Sequence, residues 1–302
     1  MSLIMARDSL GEKRSVRMGL ASRQALIAYV FLAPALIYFT IFFFYPILLE
    51  LWASMQSTTD FVGLANYLTA FQDQRVWATF QVTVLFAIGV TLLNILLGLG
   101  LALLLDLPFK GRVVFRAVFL VPYMTSMVIV GLMWRNILDP QVGILNRLLF
   151  SLGLPQQGWL TDYQLALPVV IGITVWQGVG YTMILFLAGL QGIPEDYYEA
   201  AQVDGANGWM RFRHVTLPLL APTTLFVVII GVINSLQAFT QAFVITQGGP
   251  ADATRFYVFH VYNIAFNENN LGYASALSFI MFVLILVLTL IQWRLGNKVV
   301  EY

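Results

Sequence analysis

The residues able to do chemistry in this chain fall into three groups. The first is Glu199-Ala-Ala-Gln-Val-Asp-Gly-Ala206 with the stretch Phe212-Arg-His-Val-Thr-Leu-Pro-Leu-Leu-Ala-Pro222 behind it. Around it gather the acids Glu195, Asp196, Glu199 and Asp204, the arginines Arg211 and Arg213, and His214. The second group is uncharged: Asn234, Gln237 and Gln241 at i, i+3, i+7, and Gln177 and Tyr181 at i, i+4. The third is Asp139-Pro140 with Gly143 and Asn146, and Gly248-Gly249-Pro250 with Thr254 and Arg255.

Catalysis fits none of them. The chain has no cysteine, so it has no thiol nucleophile, thiolate metal site or disulfide. Its two histidines, His214 and His260, form no H-E-x-x-H metal pair and no Ser–His dyad. No G-x-x-x-x-G-K-[ST] loop is present to cradle ATP phosphates. A net charge of +1 leaves no nucleic-acid footprint.

The elements that must position these residues are membrane helices. The 302 residues are 59% hydrophobic and 10% charged, with mean hydropathy +0.80. Soluble domains carry about 25% charged residues, and no soluble core of this size could hide so much apolar surface. The expected fold is all-α, a polytopic membrane helix bundle. Runs of ~20 apolar residues predict six spans, at about 25–49, 76–105, 117–137, 164–190, 219–245 and 271–293. Residues 1–24 form a basic tail and 294–302 a short one. The first apolar run is too long for a signal-peptide core, so it reads as an uncleaved span. Asp8 to Arg17 reads as a disordered or surface-lying tail, or as a basic amphipathic helix on the membrane. A short helix is expected near Tyr67 to Phe71, in the loop after span one.

An even number of spans puts both termini on one side. The tails and the loops after spans two and four hold twelve of the sixteen Lys and Arg residues. Basic residues stay inside, so both termini and the 191–218 loop are expected in the cytoplasm. No span carries a charge at its middle. Such charges mark proton and ion pathways, so a proton- or sodium-driven carrier is disfavoured. The in-span amides either line a solute cavity or hydrogen-bond between helices. Asn94 with Gly98 reads as helix packing. Neutral amides, with Trp176 and Tyr181 as stacking surfaces, suit a neutral polyhydroxylated ligand. A phosphate would want Arg, Lys or helix N-termini. Arg135 and Arg255 could supply that, or could meet a partner protein or lipid headgroups.

Within the 191–218 loop, Pro194 suits a first helical turn, and Glu195 and Asp196 complement a helix N-terminus. Gly205 can close that helix in a left-handed cap. Asn207 can open a second helix running to about His214, which Pro218 and Pro222 would stop while opening span five. Tyr197, Ala200, Ala201 and Asp204 share a face. Spacing alone leaves two readings, a docking element and a solvated connector.

Glu199-Ala200-Ala201, Asp204-Gly205-Ala206, Phe212, Leu217-Pro218 and Pro222 resemble the cytoplasmic "EAA" loop of permease subunits of binding-protein-dependent ABC importers. Asp139-Pro140, Gly143 and Asn146, with Gly248-Gly249-Pro250 and Thr254, are similar to external features of the carbohydrate and glycerol-phosphate branch. The resemblance implies that 191–218 is the coupling helix docking on an ATPase. Glu199, Ala200, Ala201, Asp204, Gly205, Ala206, Phe212, Leu217 and Pro218 would then be the coupling residues. It implies a second homologous permease, two ATP-binding subunits that hold ATP and Mg, and an extracytoplasmic solute-binding protein. Asp139, Pro140, Gly248, Gly249, Pro250 and Arg255 would face that protein. Asn234, Gln237, Gln241, Gln177 and Tyr181 would line the path of a sugar or glycerol-phosphate solute. The chain itself would carry no cofactor, metal or enzymatic activity and would sit in a bacterial or archaeal cell membrane. The competing reading is a stand-alone carrier or channel for a small polar solute.

Overall fold

A computed structural model of the chain describes residues 20–57 and 60–300. The expected amphipathic helix at the N-terminal tail lies outside these residues. The described chain is helical, with one isolated bridge between Gln56 and Phe61.

The chain divides into Met1–Trp52 and Ala53–Tyr302. The first unit holds α1 (Leu20–Phe39), a wide π turn (Thr40–Phe44) and most of α2 (Tyr45–Ser54). The helical stretch Ile27–Ser54 has 28 residues at mean hydropathy 2.2, about 42 Å at 1.5 Å per residue. That is ample to cross a ~30 Å hydrocarbon core.

The second unit begins with α3 (Ala65–Gln72), the expected short helix, held by Asn66 Nδ2 donating to the Ser54 and Gln56 carbonyls. Then comes α4 (Gln74–Asp106), 33 residues long. Its N-terminus is capped by the Asp73 side chain, which accepts from Arg75 N at 2.8 Å. At its other end Arg116 Nη2 donates to Leu105 O at 2.8 Å. A cation there also complements the helix dipole. The long helices α8 (Ala166–Gln191) and α14 (Leu271–Val300) match the expected spans four and six.

α4 packs along α8, α12 (Ala221–Leu236) crosses α4, and α14 lies against α12 and α3. Small residues let the backbones close, as lipid-embedded helices require. A Cβ at Gly98 would stand 2.6 Å from Thr182 Cγ2, and one at Gly180 would overlap Phe119 O. The expected packing role of Gly98 is therefore present. Phe86, Val170, Ala242 and Phe256 centre one core cluster, and Ala102, Met183, Phe186 and Leu220 another.

Two expected spans are broken. The predicted span 117–137 is α5 (Arg112–Met124) and α6 (Met127–Ile137), bent by 94° at Thr125-Ser126. The predicted span 219–245 is α12, a break after Leu236, and a π turn at Ala242–Thr246. Pro218 does not stop the second helix: it sits in α11 (Leu217–Leu219), which runs on from the π turn before it. Pro222 opens α12 as expected, in a first turn where a missing N–H costs nothing, and the chain bends by 62° between the two helices. Among the described residues, four helices are long and apolar enough to cross a bilayer alone, and each bent pair would add one, making six.

Candidate functional site: an uncharged cavity, a helix–glycine–helix elbow and a bonded turn

α4, α8 and α12 enclose a cavity of about 200 Å³, closed at one side by Tyr123 of α5. Phe86, Val90, Thr91 and Asn94 come from α4, and Thr174, Gln177, Gly178, Tyr181 and Thr182 from α8. α12 adds Gly231, Asn234 and Ser235, and Gln241 enters from beyond the break. None of the lining residues is an Asp, Glu, Lys, Arg or His.

Four of the five amide and tyrosine residues expected on a solute path meet here: Asn234, Gln241, Gln177 and Tyr181. Gln237 does not. It caps the end of α12, so the i, i+3, i+7 spacing does not carry across the break. Gln237 lines a second cavity with Tyr257, Ser278 and Met281. Gln177 already has a partner: its Nε2 donates to Thr125 O at 2.9 Å, satisfying a carbonyl freed by the α5–α6 bend. Tyr181 stacks on Tyr123 with ring centroids 4.6 Å apart and planes 9° apart. These two residues thus clasp α8 to α5 while presenting an aromatic wall.

Sequence reasoning missed Asn94 and Thr91. They lie one turn apart on α4, and both Asn94 Oδ1 and Thr91 Oγ1 are buried without a hydrogen-bond partner. The polar pair at i, i+3, in the apolar stretch of α4 beyond Thr83, was the signal. Opposite them stand glycines rather than side chains. A Cβ at Gly178 would lie 3.3 Å from Asn94 Nδ2, and one at Gly231 would lie 3.3 Å from Thr91 Oγ1.

The loop expected to couple to an ATPase has the predicted local structure. α9 (Glu195–Val203) opens after Pro194 with Glu195 and Asp196 in its first turn. Gly205 follows at φ 81, the left-handed conformation that glycine adopts without strain. Asn207 Oδ1 then accepts from Met210 N at 2.9 Å and caps α10 (Gly208–Arg211). A wide π turn, Phe212–Thr216, carries the chain on to Leu217 and Pro218. Tyr198 OH and Thr216 Oγ1, 3.1 Å apart, tie α9 to that turn. Glu199, Ala200 and Asp204 are exposed, and Ala201 and Ala206 are half-buried. Apolar side chains also stand in the open here, with Val203 90% and Trp209 66% exposed.

At the end of α6, Asp139 Oδ1 accepts from Gln141 N and Val142 N at 2.8 and 2.9 Å. The backbone N–H groups of Val142 and Gln141, with Arg135 nearby, hold its carboxyl below the usual carboxylate range. Asp139 and Pro140 share a cavity of about 230 Å³ with Arg135, Thr161 and Gln247. Asn146, on α7 (Ile144–Ser151), is 1% exposed and fully bonded. Its Nδ2 donates to Pro140 O and Gln157 O, and its Oδ1 accepts from Gln157 N and Trp159 Nε1. Beyond Thr246, Gly248 is buried at φ 82, and a Cβ there would meet Phe259 Cε1 at 2.8 Å. Thr254 Oγ1 donates to Gly249 O at 2.6 Å. Pro250 is half-buried, and Arg255 pairs with exposed Asp252 at 3.2 Å. Gly248 and Thr254 therefore build the turn, and Asp252 and Arg255 are what it displays.

Comparison with known proteins agrees with this architecture. Residues 94–301 match the family model described as "Binding-protein-dependent transport system inner membrane component". The sn-glycerol-3-phosphate transport system permease protein UgpA of Agrobacterium fabrum is 35% identical, over 92% of this chain and 97% of that protein. The trehalose/maltose transport system permease protein MalF of Thermococcus litoralis is 34% identical, over 91% of this chain and 95% of that protein. A solved bacterial ABC transporter involved in alginate import has a chain of the same fold, with TM-score 0.83 and 23% identity. That match covers 92% of this chain and 98% of that one. With more than half its length inside the family model, this chain belongs to the inner membrane components of binding-protein-dependent transport systems.

Proposed function

We propose that this chain is a permease subunit of an ATP-driven importer, with the solute passing through the α4–α8–α12 cavity and energy entering at α9–Gly205–α10. What carries the reading is the presence of two unlike sites on one chain. One is an uncharged polar cavity inside an apolar bundle. The other is an exposed helix–glycine–helix elbow displaying Val203 and Trp209. Exposed apolar side chains on an otherwise polar segment suit a protein partner. Relatives named for trehalose/maltose and for sn-glycerol-3-phosphate support a hydroxylated solute of that size.

Each bent pair counts as one span in this reading, giving six spans with both termini and the elbow in the cytoplasm, where the basic residues concentrate. A second permease completes the path. Two ATP-binding subunits hold ATP and Mg and dock on Glu199, Ala200, Ala201, Asp204, Gly205, Ala206, Phe212, Leu217 and Pro218. A solute-binding protein docks outside, on Asp139, Pro140, Arg255 and the turn set by Gly248, Gly249 and Pro250. Closing of the ATPases moves the elbow and turns the cavity by rigid-body rotation.

The test is reconstitution. Purified alone in liposomes, the chain hydrolyses no ATP and passes no solute. With its partners it supports ATP-dependent uptake, and Gly205→Pro abolishes that uptake while the subunits still co-purify. Solute flux through the chain alone would establish a stand-alone carrier instead.

A further inference from the structure

The relatives divide between a neutral disaccharide and a phosphate ester, and the cavity contains the feature that separates them. Resting on the permease reading above, we infer that Thr91 and Asn94 form an acceptor pair for solute hydroxyls, selecting a neutral polyol and rejecting phosphate esters.

Thr91 is 8% exposed, and its Oγ1 has no hydrogen-bond partner. A helical threonine ordinarily returns its hydroxyl to the carbonyl one turn back. Thr174 does so on the same cavity wall, donating to Val170 O at 2.8 Å. Thr91 does not. Asn94 Oδ1, one turn further along α4, is equally without a donor. Buried polar groups are nearly always bonded, so two orphans in one cavity imply that something absent from the free protein completes them.

The neighbouring packing gives neither group a hydrogen-bond partner. Gly231 faces Thr91 and Gly178 faces Asn94, each at a distance where a single methyl would crowd the polar atom. Other small residues in the bundle let one helix touch another, as Gly98 does against Thr182. Gly178 and Gly231 instead lie against the two unpaired oxygens, which are themselves covered in this structure. Asn234 and Gln241 line the same cavity.

The chemistry then discriminates. The amide oxygen of Asn94 can only accept, and the Thr91 hydroxyl can accept as readily as it donates. Both are met by the O–H groups of a sugar or polyol. A phosphate monoester carries close to two negative charges, which neutral amides do not neutralise, so it needs cations beside it. No Lys, Arg or His lines the cavity, and a charge buried without a partner is strongly disfavoured. The Tyr123–Tyr181 stack supplies an apolar face against which a sugar ring can lie.

The chain has no cysteine, which makes the test direct. Thr174→Cys, on the cavity lining but outside the acceptor pair, is introduced into the complete importer in proteoliposomes. Its labelling by a methanethiosulfonate reagent is followed on this chain without solute, with a panel of neutral mono-, di- and oligosaccharides, and with sn-glycerol-3-phosphate. A neutral sugar is expected to slow labelling at least fivefold, and glycerol phosphate to leave it unchanged. Protection by glycerol phosphate, or protection by no member of the panel, overturns the inference. Thr91→Val, of the same shape but without the hydroxyl, is expected to raise the half-saturating concentration for uptake of the protecting sugar roughly three- to tenfold. An unchanged value also overturns it. Failure here leaves the permease reading standing, because that reading is judged separately by the loss of ATP-driven uptake in Gly205→Pro.

Discussion

Two asparagines show how this chain divides its work. Asn146 is buried on the short helix α7, between the turn at Pro140 and the loop at Gln157, and its amide makes four hydrogen bonds, to Pro140 O, Gln157 O, Gln157 N and Trp159 Nε1. Asn94 sits in the middle of the bundle with its Oδ1 unpaired. The first holds backbone in place where no regular structure does. The second is left without a donor where Gly178 packs beside it. One residue type thus serves as a staple at one site and as a ligand group at the other, and only the surroundings tell them apart.

The largest effect expected lies outside that pair, in the element that would drive both regions. Gly205→Pro forbids the positive φ that the elbow needs and is expected to cut ATP-driven uptake at least a hundredfold in vesicle assays. Next is Asn146→Ala. It strands two carbonyls and two N–H groups, and thermal unfolding should report a loss of about 2–4 kcal/mol. A loss below about 0.5 kcal/mol would break the contrast, because the staple would then be dispensable. Gly248→Ala should cost about 1–3 kcal/mol, since it combines a disfavoured φ with a clash against Phe259.

The smallest effect is a pH dependence at His260, which is 3% exposed with both ring nitrogens unpaired. Burial, helped by Arg255, pushes its pKa below the ordinary histidine value, against the weaker pull of Asp73 and Glu268. The unfolded chain therefore binds a proton before the folded one does. Stability should fall as pH drops through the ordinary histidine range, and His260→Gln should flatten that dependence in thermal scans between pH 7.5 and 5.5.

Much of this was legible in the sequence. α4, α8 and α14 follow from long apolar runs, and the α9–Gly205–α10 elbow from cap chemistry at Pro194, Gly205 and Asn207. The breaks were not. Apolar composition continues through Thr125-Ser126 and past Leu236, so hydropathy reads one span where the backbone bends, and only Pro122 hinted at the first. Gln237 was misplaced for that reason: spacing holds along a helix and fails across its end. Gln177 and Tyr181 were found, but their partners Thr125 O and Tyr123 come from a distant segment that spacing cannot reach. Asn94 read as packing because a sequence does not show whether an amide has a partner.

The central claim is that solute passes beside Asn94, and the most direct test compares the two asparagines in one assay. The complete importer is reconstituted with wild-type chain, Asn94→Ala or Asn146→Ala, and sugar uptake is measured beside thermal stability. Asn94→Ala is expected to lose uptake at least fivefold while its stability stays within about 1 kcal/mol of wild type, since it removes an acceptor that no donor meets in the free protein. Asn146→Ala is expected to lose stability first, with uptake falling only as folded protein is lost. Wild-type uptake by Asn94→Ala would contradict the account.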